Sequence, residues 1–265
     1  MGVGIQVLSP MPELLSYWFE LDDALVFGRY VNEQIGAMVD QAPERFMGLG
    51  MIPLQDPERA AVELERLMED TRFRGVELGT NVNGLSIADP RFDPVFAAAE
   101  ETGAAVFIHA FHPQDVTHLI GPPILKAVAA FPCETALTIS ALIASGVLSK
   151  YPKLRVAFSH GGGAFGLVLP RLVHGWKVLP ALQEAVGESP REIATRIYYD
   201  SLVYDEEVLK FLVSSFGEHQ ILVGTDFPFQ IYERDPLGAV NKAGFSGQIT
   251  RSICEENART FLNLN

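Results

Sequence analysis

A chain of 265 residues with 48% hydrophobic content can bury a large core, and it is near the size of one barrel domain. Its formal net charge of -13 makes a negative surface that repels nucleic-acid phosphates and anionic lipid head groups, so a soluble enzyme for a small molecule fits better than a nucleic-acid or membrane binder. The opening MGVGIQVLSP lacks the regions of a secretory signal, no stretch nears ~18 uninterrupted apolar residues, and Cys133 and Cys254 lack disulfide or thiolate-metal spacing; a cytoplasmic protein is expected.

Short apolar runs that read as buried parallel strands alternate with stretches of helical periodicity. The first two runs are Val3 to Leu8 and Phe46 to Ile52. Asp56-Pro57 then predicts a helix start, with a capping carboxylate before a proline whose missing N–H costs nothing there. Ala60, Leu64, Leu67 and Met68 repeat at helical spacing to face a sheet. A third run, Gly75 to Leu78, precedes a second start signal at Asp93-Pro94. Further runs occur at Ala104 to Ile108, Leu154 to Phe158, Ile197 to Tyr199 and Ile221 to Val223. Before the last of them, Glu206 and Glu207 open a helix whose apolar stripe is Leu209, Leu212, Val213 and Phe216. No repeat, low-complexity tract or linker divides the alternation, so one domain over residues 1–265 is expected. The count is seven strands, one short of a closed barrel of this class. A doubly wound open sheet is the structural alternative.

The chemically informative feature is the polar residue at the end of each later run: His109 after AAVFI, His160 after LRVAFS, Asp200 after IYY and Asp226 after ILVGT. In a parallel barrel these positions share the C-terminal rim, where such enzymes keep their chemistry. His109 and Asp226 are suited to hold a divalent metal. Each alone has an ordinary explanation, a core imidazole on a backbone carbonyl or a turn residue before Phe227-Pro228; their shared placement favours the metal. His160 opens HGGGAF, where three glycines let the chain turn tightly, and an imidazole there suits general acid/base work. No G-x-S-x-G elbow or G-x-G-x-x-G turn accompanies it, which argues against serine hydrolysis and dinucleotide binding. His112 and His118 read as loop histidines, His174 and His219 as surface residues, and Arg171 as part of a solvated helix face.

The segments QVLSP, SYW, RFMGLGMIPLQDPERA, RGVELGTNVNG, VFIHAF, CETALTISALIASGV, YPKLRVAFSHGGGAFGLVLPRLVHGW and LVGTDFPF occur in this order along nearly the whole chain. In this order they resemble the aminocarboxymuconate-semialdehyde decarboxylase family, in the amidohydrolase 2 group of the metal-dependent amidohydrolase superfamily. The segment from Gln114 to Ala130 does not align with that pattern. The resemblance implies a TIM-type (β/α)8 barrel and a non-oxidative decarboxylase of unsaturated or aromatic carboxylic acids that uses a divalent metal, with Zn2+ the expected ion. It further implies that His109 and Asp226 are metal ligands, that His160 is the acid/base, and that Arg171 reaches a neighbouring subunit's pocket in a homodimer to hold a substrate carboxylate, a role its planar fork suits. The family also carries a first strand with a His-x-His pair. This chain has no such pair, and its run Val3 to Leu8 matches the family's second strand. The first β/α unit is therefore expected to be missing, with weak metal occupancy. A hydrolase or hydratase of the same superfamily, or an inactive barrel fragment, are the alternative functions.

Overall fold

The computed structural model describes residues 2–114 and 116–264. All seven runs read from the sequence are strands of one parallel sheet. They are β1 (Gln6–Leu8), β2 (Phe46–Gly50), β3 (Phe73–Gly79), β6 (Ala105–His109), β7 (Arg155–Phe158), β8 (Tyr198–Asp200) and β9 (Ile221–Leu222), paired in that order. After β3, β4 (Asn81–Val82) and β5 (Leu85–Ser86) form a separate antiparallel hairpin. The helices are α1 (Leu21–Gln41), α2 (Pro57–Met68), α3 (Asp93–Thr102), α4 (Phe131–Ala144), α5 (Val147–Lys150) and α6 (Phe165–Val178). Then come α7 (Pro180–Ala185), α8 (Pro190–Ala194), α9 (Glu206–Phe216), α10 (Pro236–Lys242), α11 (Gly247–Arg251) and α12 (Asn257–Phe261).

The strand order never reverses, whereas a doubly wound sheet reverses at a switch point. Side chains alternate along each strand. One set, including Val76, Leu78, Val106, Ile108, Val156 and Phe158, packs outward with Leu64, Ile139 and Leu212 of the helices. The other set is shared across the sheet: Val7, Leu49, Ala105, Ala157, Tyr198 and Leu222 meet Phe261 and Leu262 in one cluster. Strands from both ends of the order reach that cluster, so the sheet curls on itself. Arg155, at the start of β7, donates to the Phe261 carbonyl at 2.9 Å. The C-terminal residues thus plug the end of the curl where strands begin and leave the other end for chemistry. Among the described residues β1 and β9 are each paired on one side only.

Local starts agree with the sequence in two of three cases. Asp56 accepts from the Arg59 N–H at 3.0 Å ahead of α2. The acidic start of α9 is capped by Asp205, which accepts from Glu207 and Val208 N–H groups at 2.9 Å each. Asp93 differs: it is the first residue of α3, and the capping carboxylate is Asp89, ahead of a 3-10 turn at Pro90–Phe92. That turn takes up the cap, because Pro90 offers an earlier start than Pro94. One helical run, Lys126–Ala144, is long and apolar enough to cross a membrane by length and composition, with a mean hydropathy of 1.6. Its Ala136, Ile139, Leu142 and Ile143 are buried in the outer core.

Candidate active site

The C-terminal ends of the strands carry the polar residues. His109 closes β6 and pairs in register with Gly79 of β3. Its Nδ1 lies 2.8 Å from the Ala110 carbonyl oxygen. A carbonyl only accepts, so Nδ1 carries a proton, and in the neutral imidazole Nε2 keeps the lone pair. That Nε2 is buried without a hydrogen-bond partner, with Asp226 Oδ1 at 3.9 Å. A buried lone pair of this kind is a donor suited to a cation.

His160 begins the glycine turn directly after β7. His160, Gly161, Gly162 and Gly163 all take positive φ, at 57°, 62°, 74° and 59°. A Cβ on Gly163 would lie 2.0 Å from the Pro132 carbonyl, so only glycine fits there. Asp200, at the end of β8, clamps the turn: its Oδ1 accepts from Gly161 N–H at 2.8 Å and from Leu202 N–H at 3.0 Å. Burial pushes the Asp200 carboxyl up to about 6, against the pull of these bonds. Ser159 Oγ lies 3.2 Å from His160 Nδ1, which leaves Nε2 as the nitrogen for chemistry. Asp226 comes after β9 at φ 58°, just before the cis peptide Phe227-Pro228.

These elements bring His109, His160 and Asp226 together, with one ligand atom from each within 4.8 Å of the others. The two imidazole rings meet edge to face at 4.9 Å between centroids. Burial, then the neighbouring His109, hold the His160 pKa well below the usual imidazole value, so it is neutral at neutral pH. Burial works to lower the His109 pKa too, but attraction to Asp226 and Glu77 and the bond to the Ala110 carbonyl outweigh it. In their neutral forms the two imidazoles, with the Asp226 carboxylate, make a donor set that fits a divalent cation, and the raised His109 pKa means that a cation there competes with a proton as pH falls.

The other residues named from the sequence lie outside this cluster. Asp200 supports the turn rather than joining it. Arg171 is exposed on α6, the helix that also exposes Leu167, His174 and Val178, and is not part of the cluster. His118, His174 and His219 are exposed. His112 does more than expected of a loop residue: it sits 2.9 Å from Glu13 and stacks on Phe111 and Trp18. That aromatic stack joins the loops after β1 and β6 at the rim of the site. A cleft of about 530 Å³ near Pro57, Arg91, Pro94 and Tyr151 contains none of the clustered residues.

Two features go beyond the sequence reading. The Asn83-Gly84 pair makes the β4–β5 hairpin, with φ of 51° and 86°, a signal written in the sequence as NVNGL. Asn81 of that hairpin donates to the Phe111 carbonyl at 2.6 Å and to Glu134 at 3.2 Å, and Asn83 donates to the Tyr17 carbonyl at 2.8 Å. The hairpin therefore ties the rim loops together. The second is Glu77 of β3, only 2% exposed, whose carboxyl burial pushes up to about 7. One acidic residue inside an apolar run gives no period to read.

The amidohydrolase family profile matches residues 17–264. The chain belongs to the amidohydrolase family. It is 39% identical to 2-amino-3-carboxymuconate-6-semialdehyde decarboxylase of Dictyostelium discoideum, over 99% of this chain and 74% of that one. It is 31% identical to 6-methylsalicylic acid decarboxylase of Penicillium expansum, over 79% of this chain and 65% of that one. Among solved structures, 5-carboxyvanillate decarboxylase from Sphingomonas paucimobilis shares the fold with a TM-score of 0.91 at 24% identity, covering 100% of this chain and 80% of that one. The Novosphingobium aromaticivorans 5-carboxyvanillate decarboxylase, complexed with manganese and 4-hydroxy-3-methoxy-5-nitrobenzoic acid, matches with a TM-score of 0.89 at 25% identity, over 99% and 77% of the two chains. This amidohydrolase thus sits among relatives that are decarboxylases.

Proposed function

We propose that this amidohydrolase is a metal-dependent, non-oxidative decarboxylase of an unsaturated or aromatic carboxylic acid, with a substrate like aminocarboxymuconate semialdehyde. The observation that carries the reading is the His109–His160–Asp226 cluster at the C-terminal rim of the curled sheet, in a chain 39% identical to a decarboxylase of that substrate. The residues read as one barrel domain over 1–265, of the (β/α)8 type.

In this reading His109 Nε2 and Asp226 hold the metal, and His160 lies near enough to be a third donor. The nitrogen and oxygen donors suit Zn2+ or Mn2+, with Zn2+ preferred. When bound, the metal polarises the substrate's oxygen groups and draws electron density from the bond that breaks. Loss of carbon dioxide leaves an electron pair on carbon, and that carbon must gain one proton. His160, kept neutral by burial and by His109, accepts a proton from water at Nε2 and passes it to that carbon. Asp200 and Ser159 fix where the ring points.

The substrate carboxylate needs a cationic partner, and Arg171 is proposed for it. Leu167, one helical turn before Arg171 on α6 and 77% exposed, is an apolar surround for it. A homodimer through this face would cover that surround and carry Arg171 to a partner's site. Cys133 and Cys254 are free thiols, in keeping with a reducing cytoplasm. The same cluster could activate water for a hydrolase or hydratase. Measuring released carbon dioxide against incorporation of labelled water oxygen separates the readings.

A further inference from the structure

Glu77 lies on the inner face of β3. Its neighbours Val76 and Leu78 belong to the outer core, so alternation turns Glu77 toward the interior of the curl. It is 2% exposed, and no lysine or arginine pairs with it among the described residues. Its carboxyl has a hydrogen bond to the Ser9 side chain at the end of β1, and Oε1 has no partner. The charged groups that act on it are His109 and Asp226. An apolar residue would fill this place without the cost of burying an unpaired carboxyl. Native interiors seldom keep such a group without use.

Two of the buried atoms without a hydrogen-bond partner, His109 Nε2 and Glu77 Oε1, carry lone pairs in the neutral imidazole and the ionised carboxylate. A cation satisfies such a pair, whereas a further acid or base does not. Glu77 lies outside the set of atoms within 4.8 Å of one another, so it stands beside the ligands rather than among them. Charge decides its use. A divalent cation held by neutral imidazoles and one carboxylate keeps a single net positive charge, which a low-dielectric interior penalises.

We propose that Glu77 is the charge-balancing residue of the cation site, a carboxylate that cancels the charge left by Asp226 and so raises affinity for a divalent metal. This rests on the metal reading under the proposed function. It predicts an effect of charge rather than of shape, and therefore a difference between Glu77→Gln, which keeps the size, and Glu77→Asp, which keeps the charge.

The test is Mn2+ binding to the full chain, with free Mn2+ read by electron paramagnetic resonance, together with Zn2+ competition and thermal melts with and without metal. Glu77→Gln is expected to bind Mn2+ about tenfold or more weakly, the scale seen when groups supporting a metal's ligands are removed. Its metal-free melting temperature should equal or exceed that of the wild type, because an orphaned carboxyl has gone, while the rise on adding metal shrinks. Glu77→Asp should bind Mn2+ more tightly than the glutamine variant. Equal Mn2+ affinity in wild type and Glu77→Gln overturns the proposal and leaves the metal reading intact. A Glu77→Gln protein that fails to fold without metal makes Glu77 a structural residue and overturns it too. A wild-type chain that binds neither Mn2+ nor Zn2+ removes the metal reading itself, and the role of Glu77 with it.

Discussion

At the scale of residues, the site depends on which nitrogen of each imidazole is free. His109 donates its Nδ1 N–H to the Ala110 carbonyl and keeps Nε2 for the cluster, and His160 has Ser159 at its own Nδ1. If His160 moves the proton, His160→Ala should cut turnover by roughly a hundredfold or more. Its metal content, by elemental analysis, should change little; a variant that loses its metal would make His160 a ligand instead. Glu77 sets a pH dependence. Burial raises its carboxyl to about 7 from an ordinary 4.5, so its neutral form favours the fold. That contribution is complete below about pH 4.5 and is lost as pH rises toward 7. The depressed imidazole of His160 contributes with the opposite sign over part of this range, so the readable quantity is a difference: the melting temperature of metal-free Glu77→Gln relative to wild type should rise on going from pH 5 to pH 7. Histidines and acids placed after apolar runs are legible in the sequence because the run marks the strand and its end marks the rim. Glu77 sits inside its run, where a pattern of apolar residues cannot say which face an exception meets.

At the scale of elements, the glycine turn is held from outside by a neighbouring strand. Asp200 at the end of β8 accepts the Gly161 and Leu202 N–H groups, and so fixes a turn whose four residues all have positive φ. Asp200→Ala leaves two buried N–H groups without partners, at about 1–3 kcal/mol each. Thermal melts should show that loss, and turnover should fall with it; Asp200→Asn, whose amide oxygen still accepts, should recover most of both. An alanine variant as stable and active as wild type would remove Asp200 from the site. The turn itself is legible as HGGG, but its clamp is not, since β7 and β8 meet only in space. Asn83-Gly84 shows the opposite case, a hairpin signal that is wholly local. The cap at Asp89 rather than Asp93 turns on which of two prolines the chain uses first.

At the scale of the molecule, strand order and the shared interior cluster favour a barrel over the open alternative, which the strand count alone leaves undecided. Arg171 stands exposed on α6, one helical turn after the exposed Leu167. If that face joins two copies, Leu167→Asp should shift the protein toward monomer in sedimentation, and Arg171→Lys should lower kcat/KM by roughly tenfold while leaving the melting temperature unchanged, because an ammonium lacks the planar fork. Unchanged kinetics in the lysine variant would return Arg171 to an ordinary helix face. The central claim is the reaction. Its direct test is carbon dioxide release by the purified chain with saturating Zn2+ or Mn2+, offered aminocarboxymuconate semialdehyde and a panel of aromatic hydroxy acids. One carbon dioxide per product formed, abolished by a chelator, is the predicted result; product bearing oxygen from water with no carbon dioxide released would contradict it.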